Sequence, residues 1–389
     1  MEKIVLPQGL DELMIQHRRH LHAHPELSFQ EKETASYIKA HLREYGIPFT
    51  QVEGYHSVIG RLQGALPGKT IAIRADMDAL PMEEQNDVPY RSTVPNVMHA
   101  CGHDAHTAVL LGLAKLFAEN RDKVAGEVVF IFQHGEEKLP GGAVTLVEKG
   151  VLDDVDVILG GHVFTPLPLG TVCYNEDALT ASADIFEITL TGKGGHAAQP
   201  HMCNDVLLAG ATLTQQLQSI ISRDIDPMAS AVLTVSQLHA GVDFNVLPDR
   251  CTLGGTVRTL DEGARAVIER RMQEITAALC TAQGLQYELK YEKGYPVMNC
   301  DPQQVLKAAD AIRCMTECTV TKMKPSMGGE DFAYYSHKVP SAFFFVGCRN
   351  EEKGIVNAHH SPNFDIDEQA IPTLAKVLLA AYLSAAKSE

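Results

Sequence analysis

The sequence predicts an α/β fold: a larger domain on a mostly parallel sheet, residues 1–180 and 295–389, interrupted by an inserted α+β domain, residues 181–294. Three observations predict it. Strand-like apolar runs alternate with helical stripes up to about residue 160, the pattern of βαβ units. Beyond about residue 180 the texture becomes long helices and half-exposed strands, and from Tyr295 the first texture returns. A length of 389 residues also exceeds what one hydrophobic core usually serves.

Residues 10–45 carry a helical pattern broken once at His24-Pro25, since proline disfavours helix in the residue before it. Residues 57–62 and 70–74 read as strands, the second running into Asp76-Met77-Asp78. Residues 105–118 carry a helical apolar stripe, and 127–132 form a continuous apolar run, as in a strand covered on both faces. A helix near 141–149 precedes a strand at 155–159, expected to end before Gly160-Gly161-His162. In the insertion, strands are expected at 183–190, 231–238, 251–258 and 285–291, with helices at 204–222 and 261–283 and a glycine-rich GKGGHAAQPH segment after the first strand. A strand at 342–346 and a helix at 368–386 close the chain.

Hydrophobic residues at 45% and charged residues at 21% are ordinary globular values. A formal net charge of -16 argues against nucleic acid or an anionic membrane as partner, because either would repel it. The nine cysteines are scattered and odd in number, unlike a secreted disulfide scaffold; Cys314 and Cys318 lie four apart on an expected helix. Charges interrupt the start MEKIVLPQGLDELMIQ, so it does not read as a signal peptide, and no apolar run approaches the roughly 20 residues of a membrane span. A cytoplasmic location is the default expectation.

The densest chemical cluster is His99-Ala100-Cys101-Gly102-His103-Asp104-Ala105-His106. Thiolate and imidazole two residues apart, at a turn entering a helix, suit zinc or a similar metal. His106, three residues beyond His103, could share its helical face and is a reserve ligand. Glu136-Glu137 follows an apolar strand at its carboxyl end, where open α/β sheets bind ligands. One carboxylate could hold a metal while the other moves a proton. His162 is expected just past another strand, and His359-His360-Ser361-Pro362 lies near the C-terminus. Cysteine, histidine and glutamate on strand-end loops describe a catalytic metal centre. The rival is a cysteine nucleophile, Cys101 with His103 or His99 as base, which leaves Glu136, Glu137, His162 and His360 unexplained. A non-catalytic metal binder would have no need of a free carboxylate such as Glu136 beside the metals. Asp78, and with it Asp76, reads as a carboxylate behind the ligands that orients them. Gly328-Gly329-Glu330-Asp331-Phe332 reads as a pocket-side loop.

Over nearly its whole length the chain resembles the amidohydrolase branch of the M20 metallopeptidase family, which includes hippurate hydrolases, indole-acetyl-amino-acid hydrolases and N-acyl-amino-acid deacetylases. The resemblance rests on RHLHAHPELS at 19–28, IRADMDALP at 73–81, HACGHDAHTA at 99–108, Glu136-Glu137, Gly161-His162-Val163, GKGGHAAQPH at 192–201 and His360-Ser361-Pro362. It implies two divalent metal ions (manganese, zinc, cobalt or nickel) held by Cys101, His103, Glu137, His162 and His360, with Glu136 as general base. It points to His196 as a donor to the oxyanion and to Asn245 and Arg258 as substrate-binding residues; an arginine can grip a carboxylate in bidentate fashion. The implied reaction is hydrolysis of N-acyl amino acids, with dipeptidase or carboxypeptidase-type cleavage as the alternative. A homodimer or higher homo-oligomer formed through a lid-like insertion is also implied. One departure stands out: the branch commonly reads FQPAEE where this chain has Phe132-Gln133-His134-Gly135-Glu136-Glu137.

Overall fold

The computed structural model describes residues 2–386; Met1 and residues 387–389 lie outside it. The chain divides into two compact units. The larger comprises residues up to Leu179, Asn299–Lys324 and those from Asp331 on; the smaller comprises Thr180–Met298 and Pro325–Glu330.

In the larger unit the first elements are helices α1 (Leu10–Ala23), α2 (Lys32–Glu44), α3 (His103–Glu119) and α4 (Gly142–Glu148). The strands are β1 (Phe49–Gln51), β2 (Val58–Gln63), β3 (Leu66–Asp76), β4 (Ala125–Gln133), β5 (Val157–Pro168) and β6 (Thr171–Tyr174). Pro25 ends the first helical stretch as expected, and the Glu26 carboxylate accepts the Glu33 and Thr34 amides in the first turn of α2. Among the described residues the sheet has eight strands, in the order β1-β2-β4-β3-β5, then Ser341–Arg349, β6 and Thr319–Lys322. The four central strands, β4, β3, β5 and Ser341–Arg349, run parallel. Their apolar runs are buried almost throughout, with α3 and the closing helix Ala370–Ala385 among the covering elements. The expected mostly parallel α/β sheet is therefore present.

Two details differ from the sequence reading. The strand expected to end at residue 159 runs on to Pro168, so His162 lies within β5. Gly160 and Gly161 mark close packing, not a strand end: a Cβ on Gly160 would come within 2.7 Å of the Phe332 and Phe343 rings, and one on Gly161 within 2.8 Å of Leu374. Cys314 belongs to the helix Pro302–Met315 but Cys318 lies beyond it, so the pair does not share a helical face.

The smaller unit is a four-stranded antiparallel sheet in the order Ala231–Ala240, Arg250–Thr259, Ser182–Thr191 and Gln286–Glu292. Helices Val206–Ser219 and Glu262–Gln283 close its core, which includes Ile188, Leu213, Leu253, Ile268 and Met272. Asp205 and Asp261 cap those helices through their carboxylates.

A buried arginine ties the larger unit together. Arg18, on α1, donates to Asp104 of α3 at 2.9 Å, to Asp365 at 2.6 Å and to Glu368 at 3.4 Å. Its guanidinium also lies 4.7 Å from the centre of the Tyr90 ring. Nothing of its side chain is exposed, so truncation would strand buried carboxylates. We expect Arg18→Ala to lower the unfolding free energy by about 3–5 kcal/mol. Arg18→Lys should recover only part of this, because one ammonium cannot reproduce the fork to Asp104 and Asp365. Urea denaturation checks both.

Candidate metal centre

The carboxyl ends of β3, β4 and β5 gather the cluster seen in the sequence. The β3–β5 ladder stops at Ile73 opposite Leu159, so the two strands part beyond that pair while each stays paired on its other edge. Such strand ends are the ordinary binding place of an open α/β sheet.

Cys101 and His103 flank Gly102, which caps α3 at φ 93. A Cβ there would meet Val163 at 2.4 Å, so only glycine allows this turn to press against β5. His103 is fully buried, and its Nδ1–H faces the backbone oxygen of Asp78 at 3.0 Å and the Asp78 carboxylate at 3.2 Å. That leaves Nε2 as the free lone pair. It lies 3.9 Å from both Glu136 Oε2 and Glu137 Oε1 and has no hydrogen-bond partner.

His162 shows the same arrangement. Its Nδ1–H donates to the Val163 carbonyl at 2.6 Å, and its Nε2 points to Cys101 Sγ at 3.4 Å. Burial and the neighbouring histidines push this imidazole well below its ordinary range, so it stays neutral. His360, at φ 61, brings Nε2 to 3.4 Å from Glu137 Oε2, and its amide donates to the Ala100 carbonyl. His359 faces elsewhere: its Nε2 accepts the Thr165 amide. Ligand atoms of Cys101, His103 and His162, of Cys101, Glu137 and His360, and of His103, Glu136 and Glu137 each lie within 4.8 Å of one another.

This donor set fits divalent cations. His103 Nε2 and Glu137 Oε1 are both buried without a hydrogen-bond partner, an arrangement that is costly unless something else satisfies it. Desolvation and the Glu137 charge push the Cys101 thiol well up. Burial opposes charge on His103, but Asp76, Cys101 and Asp78 together outweigh it and raise that imidazole. Those protons are the ones a cation displaces from such ligands.

The reserve role expected for His106 is corrected. Its Nδ1–H donates to Asp76 at 2.6 Å while Nε2 accepts the Val163 amide at 3.0 Å. With its lone pair used, His106 is a strut between β3 and β5. Asp76 is held by Arg74 at 2.6 Å, and Arg74 in turn by Asp331 at 2.6 Å. Asp331 also accepts from Gln133 and from the Ala143 amide, which anchors it in the core beside the site. The sequence signal was available: Arg74 follows the apolar run Ile71-Ala72-Ile73 within a strand, and a charge placed there demands a buried partner.

Asp78 joins three segments. Besides His103, its Oδ2 accepts the Glu137 amide at 2.9 Å and the Ser28 hydroxyl at 2.7 Å. The departure at His134-Gly135 is matched by its surroundings. The His134 amide donates to Ser57 Oγ at 3.0 Å, and the Ser57 hydroxyl meets His134 Nδ1 at 2.5 Å. A proline at 134 would lack the first of these. Gly135 adopts φ 64 with Phe29 where a Cβ would be, at 2.9 Å.

His196, Asn245 and Arg258 belong to the smaller unit. His196 lies opposite Val246 on a two-residue ladder, exposed, and the Asn245 carbonyl accepts the Ala197 amide beside it. Arg258, half-buried on a central strand, donates to the Asp184 and Val257 carbonyls at 3.3 and 3.0 Å. Next to the His196 ladder is a cavity of about 480 Å³ lined by residues including Gly195, Val246 and Arg250.

Residues 72–384 match the model of peptidase family M20/M25/M40. The chain is 44% identical over 319 residues to an N-acyl-L-amino acid amidohydrolase of Geobacillus stearothermophilus, covering 81% of this chain and 86% of that one. It is 38% identical over 379 residues to thermostable carboxypeptidase 2 of Saccharolobus solfataricus, with 95% of each chain covered. Its fold matches the crystal structure of the Bacillus subtilis YXEP protein, a dinuclear metal-binding peptidase from the M20 family, with a TM-score of 0.84 at 35% identity, covering 97% and 98% of the two chains. By these similarities the chain belongs to peptidase family M20/M25/M40.

Proposed function

We propose that the protein hydrolyses the amide bond of N-acyl amino acids, with two divalent metal ions held by Cys101, His103, Glu137, His162 and His360. The observation that carries this reading is the buried, unpartnered Nε2 of His103 facing two adjacent carboxylates, with Cys101, His162 and His360 close by. When bound, the ions activate a water as nucleophile and polarise the amide carbonyl. Glu136 takes the proton of the attacking water and delivers it to the leaving nitrogen. Glu137, whose amide is fixed by Asp78, serves as a ligand between Cys101 and His360. Asp78 holds His103 in the tautomer that presents Nε2.

His196 is the donor proposed for the carbonyl oxygen as it gains charge, and Arg258 with Asn245 for the substrate carboxylate. Among the described residues Arg258 is in no salt bridge, and its side-chain hydrogen bonds go to backbone carbonyls. A cytoplasmic homodimer assembled through the smaller unit completes the reading; among the described residues no helix is long and apolar enough to cross a membrane. Exopeptidase cleavage uses the same chemistry and has support in the carboxypeptidase relative. A cysteine nucleophile has less support, because burial and Glu137 raise the Cys101 thiol, the reverse of what a thiolate nucleophile needs.

Three outcomes test the reading. Stripping metal should abolish hydrolysis of acetyl-, benzoyl- and indole-acetyl-amino acids, and manganese, zinc, cobalt or nickel should restore it; activity surviving verified stripping would refute it. Glu136→Gln should lower kcat by about 10²–10⁴-fold while metal content, read by elemental analysis, stays at the wild-type level. Arg258→Ala should raise KM about 10- to 100-fold, the worth of one charge-assisted contact, for substrates with a free carboxylate but not for their carboxamides.

A further inference from the structure

The connection between α1 and α2 supplies none of the residues gathered at the metal centre, yet it holds the Glu136-Glu137 turn at two points directly and at a third through Asp78. Glu31 is fully buried, and its Oε1 accepts the Gly135 amide at 2.7 Å and the Phe29 amide at 2.9 Å. The Phe29 ring covers Gly135 so closely that a Cβ there would lie 2.9 Å from it. Ser28 Oγ donates to the same Asp78 oxygen that accepts the Glu137 amide.

Phe29 itself adopts φ 66. A left-handed backbone in a bulky residue is uncommon and persists where surrounding contacts over-determine it, typically at functional sites. Here the contacts are the two amides on Glu31 and the ring on Gly135.

We propose that residues 28–31 form a clamp on this turn, and that Glu31 is a positioning residue for the Glu136 carboxylate; this rests on the amide-hydrolase reading above. The amides on either side of Glu136, those of Gly135 and Glu137, are each held by a buried carboxylate, Glu31 and Asp78. On the strand side the His134 amide is held by Ser57. With its neighbours fixed, Glu136 has one direction in which to leave the backbone. A general base needs that, because small displacements of a reacting group are costly in rate. Burial, with Asp78 adding to it, pushes the Glu31 carboxyl up to about 8. Glutamine is then a close stand-in, keeping an oxygen for the two amides.

The experiment compares Glu31→Ala, Glu31→Gln and Gly135→Ala with the wild type. It measures kcat and KM on the preferred N-acyl amino acid, metal content, and amide hydrogen exchange across residues 133–138. Glu31→Ala should lower kcat about 10- to 100-fold with KM within about twofold, at wild-type metal content. It should speed exchange in 133–138 at least about tenfold and leave the rest of the larger unit unchanged. Glu31→Gln should retain most of both the protection and the rate. Wild-type exchange or wild-type kcat in Glu31→Ala overturns the clamp, as does a rate loss that Gln shares or that follows KM or metal content. Should Glu31→Ala not fold, Gly135→Ala, which displaces Phe29, decides: loss of kcat at steady KM supports the clamp and wild-type kcat overturns it. If the wild type hydrolyses no amide, the function reading falls, and the exchange measurement alone still decides the clamp.

Discussion

The Asp78 carboxylate is the constraint on which the rest of the metal centre depends. It is buried at the carboxyl end of the central sheet, and three chain segments meet on it: His103 from the start of α3, Glu137 from the turn after β4, and Ser28 from the connection between the first two helices. Burial alone would raise this carboxyl; the hydrogen bonds from His103, Ser28 and the Glu137 amide outweigh it and hold it below its ordinary range. It therefore stays an acceptor and dictates which nitrogen of His103 is left free. Its two oxygens thus set the orientation of one imidazole and the backbone of one glutamate at the same time.

Around it the protein concentrates negative charge. Asp76, Asp78, Glu136 and Glu137 all lie near His103, whose Nε2 is within 3.9 Å of three of them. Arg74 neutralises Asp76 from one side and is itself balanced by Asp331. The other two carboxylates near His103 Nε2, those of Glu136 and Glu137, are the ones proposed for the proton and the metal. Each acid thus has its own counterpart: Arg74 for Asp76, hydrogen bonds from His103, Ser28 and the Glu137 amide for Asp78, and the proposed cation and water for Glu137 and Glu136. His106 marks the boundary: its proton goes to Asp76 and its lone pair to β5, so it belongs to the framework although it shares a motif with His103.

The layered α/β fold was legible because the central strands are buried on both faces and so appear as unbroken apolar runs, as in residues 127–132. The cluster at Cys101 and His103 was legible because both side chains come from one tight turn. What pairs across long stretches of chain was not. Nothing local announces that Arg18 reaches Asp365, or that Glu31 accepts the amide of Gly135; those partners are set by topology. Gly160-Gly161 misled in the opposite sense. A glycine pair commonly ends a strand, whereas here it clears space for Phe332, Phe343 and Leu374, and His162 is consequently presented from within β5.

Particular polar residues of the two units contrast in the partners they have. In the larger unit Asp76, Asp78 and His106 are each held by hydrogen bonds to other chain segments. In the smaller unit the proposed recognition residues are left open: His196 is exposed, and Arg258 has only backbone carbonyls as partners. The unit does not lack the means to satisfy an arginine. Arg265 is fully engaged by the buried Asp184 and by Glu262. An arginine left without a carboxylate, where a neighbouring one is fully paired, is what the proposed grip on a substrate carboxylate requires. On the proposed reading the proton transfer rests on this framework, and the amino-acid part of the substrate would be met by side chains that the protein leaves open.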